Sequence, residues 1–338
     1  MRGGSALPAG ARVTSIGGRS LEELEALGAA TVPHENVYWA RSSLARQIVR
    51  SDVLAALGLT ARDGGVDVVY QTAPGTDAHA RLRPGAASPP TRPWIGYEIF
   101  AADSTGVLRL ERCDPTEEFF TTLAAFMREI KQQGVRKVAI DLRGNPGGDA
   151  SVAIAVLGSL GLQVEQGFSV DTRVSVQLVH DMPMFDPAAV APVFQSVGLP
   201  APAADAKRYT VPGPMVLGLL SQRLGDHALE VVPDRTLYVL TDGGTFSSAS
   251  LFALLVRDNH LGLLVGEPTG NSATFNGSEI ERAVPGIPYV LHLSTARLLR
   301  PDAAAGPAPT LVPDLRAAPT AASLGSGHDA AVDMIRRL

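Results

Sequence analysis

The stretch VAIDLRGNPGG, residues 138–148, decides the fold. Val138, Ala139 and Ile140 belong to an apolar run ending at Leu142 that reads as a buried strand. Gly144, Asn145, Pro146, Gly147 and Gly148 break the run, and the apolar residues 151–161 read as a helix. Glycines at such a turn reach positive φ and bring backbone N–H groups close to a bound atom. The following helix adds its positive end, so the turn is a credible oxyanion pocket. Glycine content alone favours a plainer reading, a tight turn with a structural Asp141–Arg143 pair.

Downstream, Leu237–Thr241 and Leu263–Val265 read as strands flanking a helix, Ser248–Asp258. Between the first strand and that helix lies Gly244-Thr245-Phe246-Ser247-Ser248-Ala249-Ser250. A serine at a helix start is ordinarily a cap. It is also where a nucleophile is best placed, because the helix end favours developing negative charge, and the Ser248 N–H is then one oxyanion donor. No Gly-x-Ser-x-Gly elbow occurs. Upstream, Val107–Leu110 reads as a strand and Asp114-Pro115 as a helix cap and first position. Phe119, Phe120, Leu123, Phe126, Met127 and Ile130 recur at helical spacing up to Gly134. The alternation indicates an α/β core. Val174–Val179 reads as a further strand. Residues 181–215 interrupt the alternation with prolines and apolar residues. Met182, Met184 and Phe185 there are candidate substrate contacts on a lid or surface excursion.

The N-terminal part reads as a small mixed unit. Arg12–Ile16 is a strand ended by Gly17-Gly18, Ser20 and Glu23 form a capping box, and Ala40–Leu57 and Val66–Tyr70 read as helix and strand. Residues 72–93 are rich in Pro, Gly, Ala and Ser and read as the linker. The expected division is 1–85 for the N-terminal unit with its linker and 93–338 for the core.

Composition sets the outer bounds. The chain has 338 residues, is 45% hydrophobic and 19% charged, and carries a net charge of −5. That balance is globular and argues against a nucleic-acid partner held by a basic surface. The single cysteine, Cys113, excludes an internal disulfide and a cysteine-rich zinc site. No metal or cofactor is expected, since no phosphate loop, dinucleotide fingerprint or His-Glu-x-x-His occurs. No apolar run is long enough to span a membrane and MRGGSALPAGARV has no apolar signal core, so the expected location is cytoplasmic.

The two turns in this order resemble the S41 family of serine peptidases, the tail-specific and C-terminal-processing proteases and their tricorn-like relatives. The resemblance covers about Trp94 to Asp314 and includes Asp258, Leu264-Val265-Gly266-Glu267-Pro268-Thr269 and Pro313-Asp314. It implies a ClpP/crotonase-like α/β core and an acyl hydrolase acting on a peptide or small acyl substrate. Ser247 would be the nucleophile, Ser248 the less favoured choice, with oxyanion donors at Gly147 or Gly148 and the Ser248 backbone. Val13–Ile16 and His34-Glu35-Asn36 resemble the region before the core, which is PDZ-like or partial here.

One position departs from the family. The lysine base of the Ser–Lys branch falls on Ser272, and no lysine follows Lys207. The tricorn-like branch implies a histidine base from an N-terminal segment. His34, His79 and His180 are better placed than His260. His227, His292 and His328 match no motif, and His34 is the candidate taken forward. Two other functions share the fold, non-proteolytic carbonyl chemistry and binding of an apolar ligand.

Overall fold

The computed structural model describes residues 7–83, 93–225, 227 and 229–338. In chain order the N-terminal unit holds β1 (Arg12–Ile16), β2 (Arg19–Ser20), α1 (Leu21–Thr31), α2 (Val37–Gln47), α3 (Ser51–Ala56), β3 (Val66–Ala73) and β4 (Thr76–Leu82). The strands form one antiparallel sheet in the order β2-β1-β3-β4. The Ser20–Glu23 capping box starts α1 as the sequence predicts.

The core begins with β5 (Ile95–Phe100), β6 (Thr105–Leu110), α4 (Glu117–Gln132), β7 (Lys137–Asp141) and α5 (Ser151–Ser159). There follow β8 (Ser169–Arg173), α6 (Val176–Asp181), α7 (Pro187–Ser196), β9 (Arg208–Val211) and α8 (Gly213–Gln222). The chain closes with β10 (Thr236–Thr241), α9 (Ser248–Asp258), β11 (Gly262–Gly266), β12 (Phe275–Ala283), β13 (Val290–Leu299), β14 (Leu315–Arg316), α10 (Ala321–Ser326) and α11 (Ala330–Arg337). The main sheet runs β14-β11-β10-β7-β6-β5, parallel except for β5.

Successive residues of a strand face opposite sides of a sheet, and here both sides are covered. Val138, Ile140, Leu237 and Val239 pack into the core formed with α4, α5 and α9. Ala139, Tyr238 and Leu240 pack on the other side against Ala331, Val332 and Ile335 of α11. This is why β7 and β10 read as unbroken apolar runs. The six apolar residues predicted for the inner face of α4 are all buried. A second sheet, β12-β13-β8-β9, is antiparallel. No helix among the described residues is long and apolar enough to cross a membrane.

The structure departs from the sequence reading in five places. Part of the expected linker is a hairpin, because Ala73 pairs with Thr76 across the Pro74-Gly75 turn; residues 84–92 lie outside the described residues. The Ala40–Leu57 helix is two helices, α2 and α3. Thr116, not Asp114, caps α4, its side chain accepting the Phe119 N–H. Val174–Val179 is not a strand; Ser175 accepts the Leu178 N–H and starts α6 there. The interruption over 181–215 is built of a 3-10 turn, α7 and β9, the last paired with β8.

Candidate active site

The ends of β7 and β10 place the two turns side by side. The Leu142 N–H donates to Leu240 O at 3.0 Å, and the Phe246 N–H to Asn145 O at 2.9 Å. Asp242 Oδ1 accepts the N–H groups of Gly144 and Gly244, both at 2.8 Å, and Thr245 Oγ1 donates to Leu142 O. Asn145, fully buried, shapes the glycine turn from within. Its Nδ2 donates to Leu110 O at 2.9 Å and its Oδ1 accepts the Gly147 N–H at 2.8 Å. Cys113 packs beside it, and burial pushes that thiol up to about 12, so it stays protonated and unreactive at neutral pH.

Ser247 stands at the N-terminus of α9 with φ 49° and ψ −124°, and its side chain makes no capping hydrogen bond. A non-glycine residue at positive φ carries strain, and such strain concentrates at functional sites. Ser247 is half-buried, and its Oγ has no hydrogen-bond partner among the described residues. Ser248 differs: its Oγ is buried and donates to Gly148 O at 2.6 Å. Gly147 lies against this pair. A Cβ on it would stand 2.6 Å from Ser247 Cβ and 2.9 Å from the Ser248 nitrogen. The Gly148 N–H and the Ser248 N–H have no acceptor among the described residues, whereas the Gly147 N–H is already given to Asn145. The Ser247 N–H donates to Asn271 Oδ1.

The other predicted residues are dispersed. His34 is exposed, its Nδ1 2.7 Å from Val32 O, and it makes no hydrogen bond to Ser247. His180 and His328 lie beside Asp181 and Asp333, and His292 beside Glu279. His227 stacks on Phe120, His79 sits on β4 and His260 lies beyond the end of α9 at positive φ. Burial first, then the charge of Asp242, pushes the Glu267 carboxyl above its ordinary range against the pull of Arg143. Arg143 itself is structural. It bonds Asp141 at 2.7 Å and Asp329 at 2.6 Å, tying the glycine turn to α11.

A cleft of about 500 Å³ opens beside Ser247, Ser248 and Gly148. Phe168, Val170, Val216, Leu220 and Leu298 give it apolar walls. Phe185 lines it as well; Met182 and Met184 do not, and Met184 is 63% exposed. The Arg223–Asp149 ion pair, 2.7 Å apart, stands at its edge.

Sequence reasoning missed the N-terminal unit's share of the site. Trp39 of α2 stacks on Phe246, centroids 3.9 Å apart, and Arg46 donates to Gly144 O at 3.3 Å. Asn36 caps α2 and donates to Thr269 O and Pro309 O. His34-Glu35-Asn36 was the available signal, but it named a region and not its contacts.

Comparison with known proteins agrees on the architecture. The model of peptidase family S41 matches residues 104–316. Mature CPAF aligns at TM-score 0.61 and 16% identity, covering 100% of this chain and 78% of that one. Mature CPAF complexed with lactacystin aligns at TM-score 0.61 and 15% identity, again over 100% and 78%. The photosystem II D1 C-terminal processing protease aligns at TM-score 0.42 and 17% identity over 95% and 68%. At these identities the likeness to CPAF is one of fold. No curated protein matches the chain.

Proposed function

The chain belongs to peptidase family S41, and from that premise we propose that it is a serine hydrolase with Ser247 as nucleophile. The observation that carries the reading is the strained backbone of Ser247 at the head of α9, its hydroxyl facing no cap partner. In the proposed reaction Ser247 Oγ attacks a carbonyl carbon and its proton passes to a base. The carbonyl oxygen, now negative, is held by the N–H groups of Ser248 and Gly148, both without acceptors among the described residues. A donor of this kind lowers the barrier by about 3 kcal/mol. Ser248 supports the turn through Gly148 and is not the nucleophile. His34 is the proposed base, because it directly precedes Glu35, whose carboxylate touches the loop that holds Ser247. The apolar cleft fits a large apolar side chain of a peptide or acyl substrate.

The second reading is binding of an apolar ligand in that cleft without turnover. It is favoured by one observation, that no described imidazole or amine bonds the Ser247 hydroxyl.

Labelling with a fluorophosphonate distinguishes the two. The expected result is covalent labelling that Ser247→Ala abolishes and Ser248→Ala retains. It should be slowed in His34→Ala. An unlabelled, folded protein that binds an apolar fluorophore saturably would transfer the assignment to the second reading.

A further inference from the structure

We propose that Glu35 is a positioning residue for Ser247: it locks the orientation of the Asn271 amide, and Asn271 fixes the direction of the Ser247 N–H. This rests on the reading of Ser247 as nucleophile. Asn271 is fully buried beneath the serine turn. Its Oδ1 accepts the Ser247 N–H, which obliges its NH2 group to face the other way. There the one partner among the described residues is Glu35 Oε2, at 3.4 Å. The same oxygen accepts the Ser272 N–H at 3.3 Å, and Oε1 accepts the Asn276 N–H at 3.1 Å. One carboxylate therefore faces three donors of the 271–276 loop.

An amide has two nearly isosteric orientations, and its neighbours choose between them. Flipping Asn271 would set its NH2 group against the Ser247 N–H and its oxygen against the Glu35 carboxylate. Both contacts would be repulsive, and a buried donor left unpaired is costly. Glu35 thus excludes the flipped state from a distance of 236 residues in sequence. Its own place is fixed by the next residue, Asn36, which donates to Thr269 O at 3.2 Å and Pro309 O at 2.9 Å. The N–H of Ser247 is the element that must stay aimed, because positive φ at a serine relaxes once that bond is lost.

Two variants of the full chain test this, read by the fluorophosphonate labelling rate and by hydrogen exchange at the Ser247 amide. Glu35→Ala removes the acceptor that faces the Asn271 NH2 group and should slow labelling by about tenfold or more. Glu35→Gln can turn its amide oxygen to the place of Oε2, where it still accepts from Asn271 and Ser272, and should label within about threefold of the parent. The Ser247 amide should exchange faster in Glu35→Ala and keep its protection in Glu35→Gln.

Parent-like labelling and exchange in Glu35→Ala would overturn the proposal, as would a Glu35→Gln variant no better than Glu35→Ala. If the parent itself does not label, the nucleophile reading fails on its own. Exchange then decides the positioning: faster in Glu35→Ala and protected in Glu35→Gln supports it, unchanged in Glu35→Ala overturns it.

Discussion

Ser247 and Ser248 carry the same side chain, and the backbone assigns them different work. Ser248 Oγ is spent on Gly148 O, while Ser247 sits at φ 49° with its hydroxyl uncommitted. Glycine alone adopts such a backbone without a steric penalty, which for other residues is about 1–3 kcal/mol. Ser247→Gly should therefore be more stable than Ser247→Ala by about 1–2 kcal/mol, although glycine ordinarily weakens folded chains. Urea unfolding of the two variants measures the difference, and equal midpoints would remove the strain argument. The sequence pointed to both serines through the motif around them, but a φ angle has no local signature. The contact between Asn271 and Glu35 was not legible for another reason. Their value lies in contacts across more than two hundred residues, and Asn271 falls in a segment where the expected residue was a lysine.

At the scale of elements, helices with a marked apolar face or cap were legible, and α9 runs over the predicted Ser248–Asp258. Val174–Val179 departs from its reading as a strand because it has no buried strand face. Val176 is 89% exposed, Leu178 is the one buried residue of α6, and the cap at Ser175 prevailed. Asp258 poses a different problem. A carboxylate at a helix C-terminus opposes the helix dipole, and this one is buried. Arg300 answers it with two bonds, Nη2 to Oδ1 at 2.8 Å and Nε to Oδ2 at 3.0 Å. The pair fastens the end of β13 to α9, so the second sheet and the helix that Ser247 heads are held together. Asp258→Ala leaves the Arg300 charge little exposed and unpaired, and should cost about 3–5 kcal/mol. Thermal or urea unfolding checks this; a loss below about 1 kcal/mol would place the pair among exposed ion pairs.

At the scale of the whole molecule, the parallel sheet was readable in its halves, because β6–α4–β7 and β10–α9–β11 each alternate strand, helix and strand along the chain, whereas the β7–β10 pairing that joins them spans β8 and β9. The second sheet was not, since it joins Ser169–Arg173 to Ala296–Leu299, a pairing no local pattern encodes. The C-terminal helix α11 escaped for a similar reason: its task is to cover the far face of the main sheet. Asp329 at its N-cap accepts the N–H groups of Ala331 and Val332 and meets Arg143 at 2.6 Å. Burial alone would raise this carboxyl, but the bonds and charge of Arg143, with those two N–H groups, hold it below the usual range. A carboxyl depressed in the folded state adds stability above its unfolded value, about 3.9, and loses it as pH falls through the folded one. Asp329→Asn abolishes that titration while keeping a capping oxygen. The variant should be less stable than the parent at pH 7, and the gap should close as pH falls below about 4. Unfolding free energies measured from pH 7 to about pH 3 test this. A gap that stays constant across the range would mean that Asp329 holds α11 by shape and not by charge, and that Arg143 does not join the glycine turn to the far side of the sheet electrostatically.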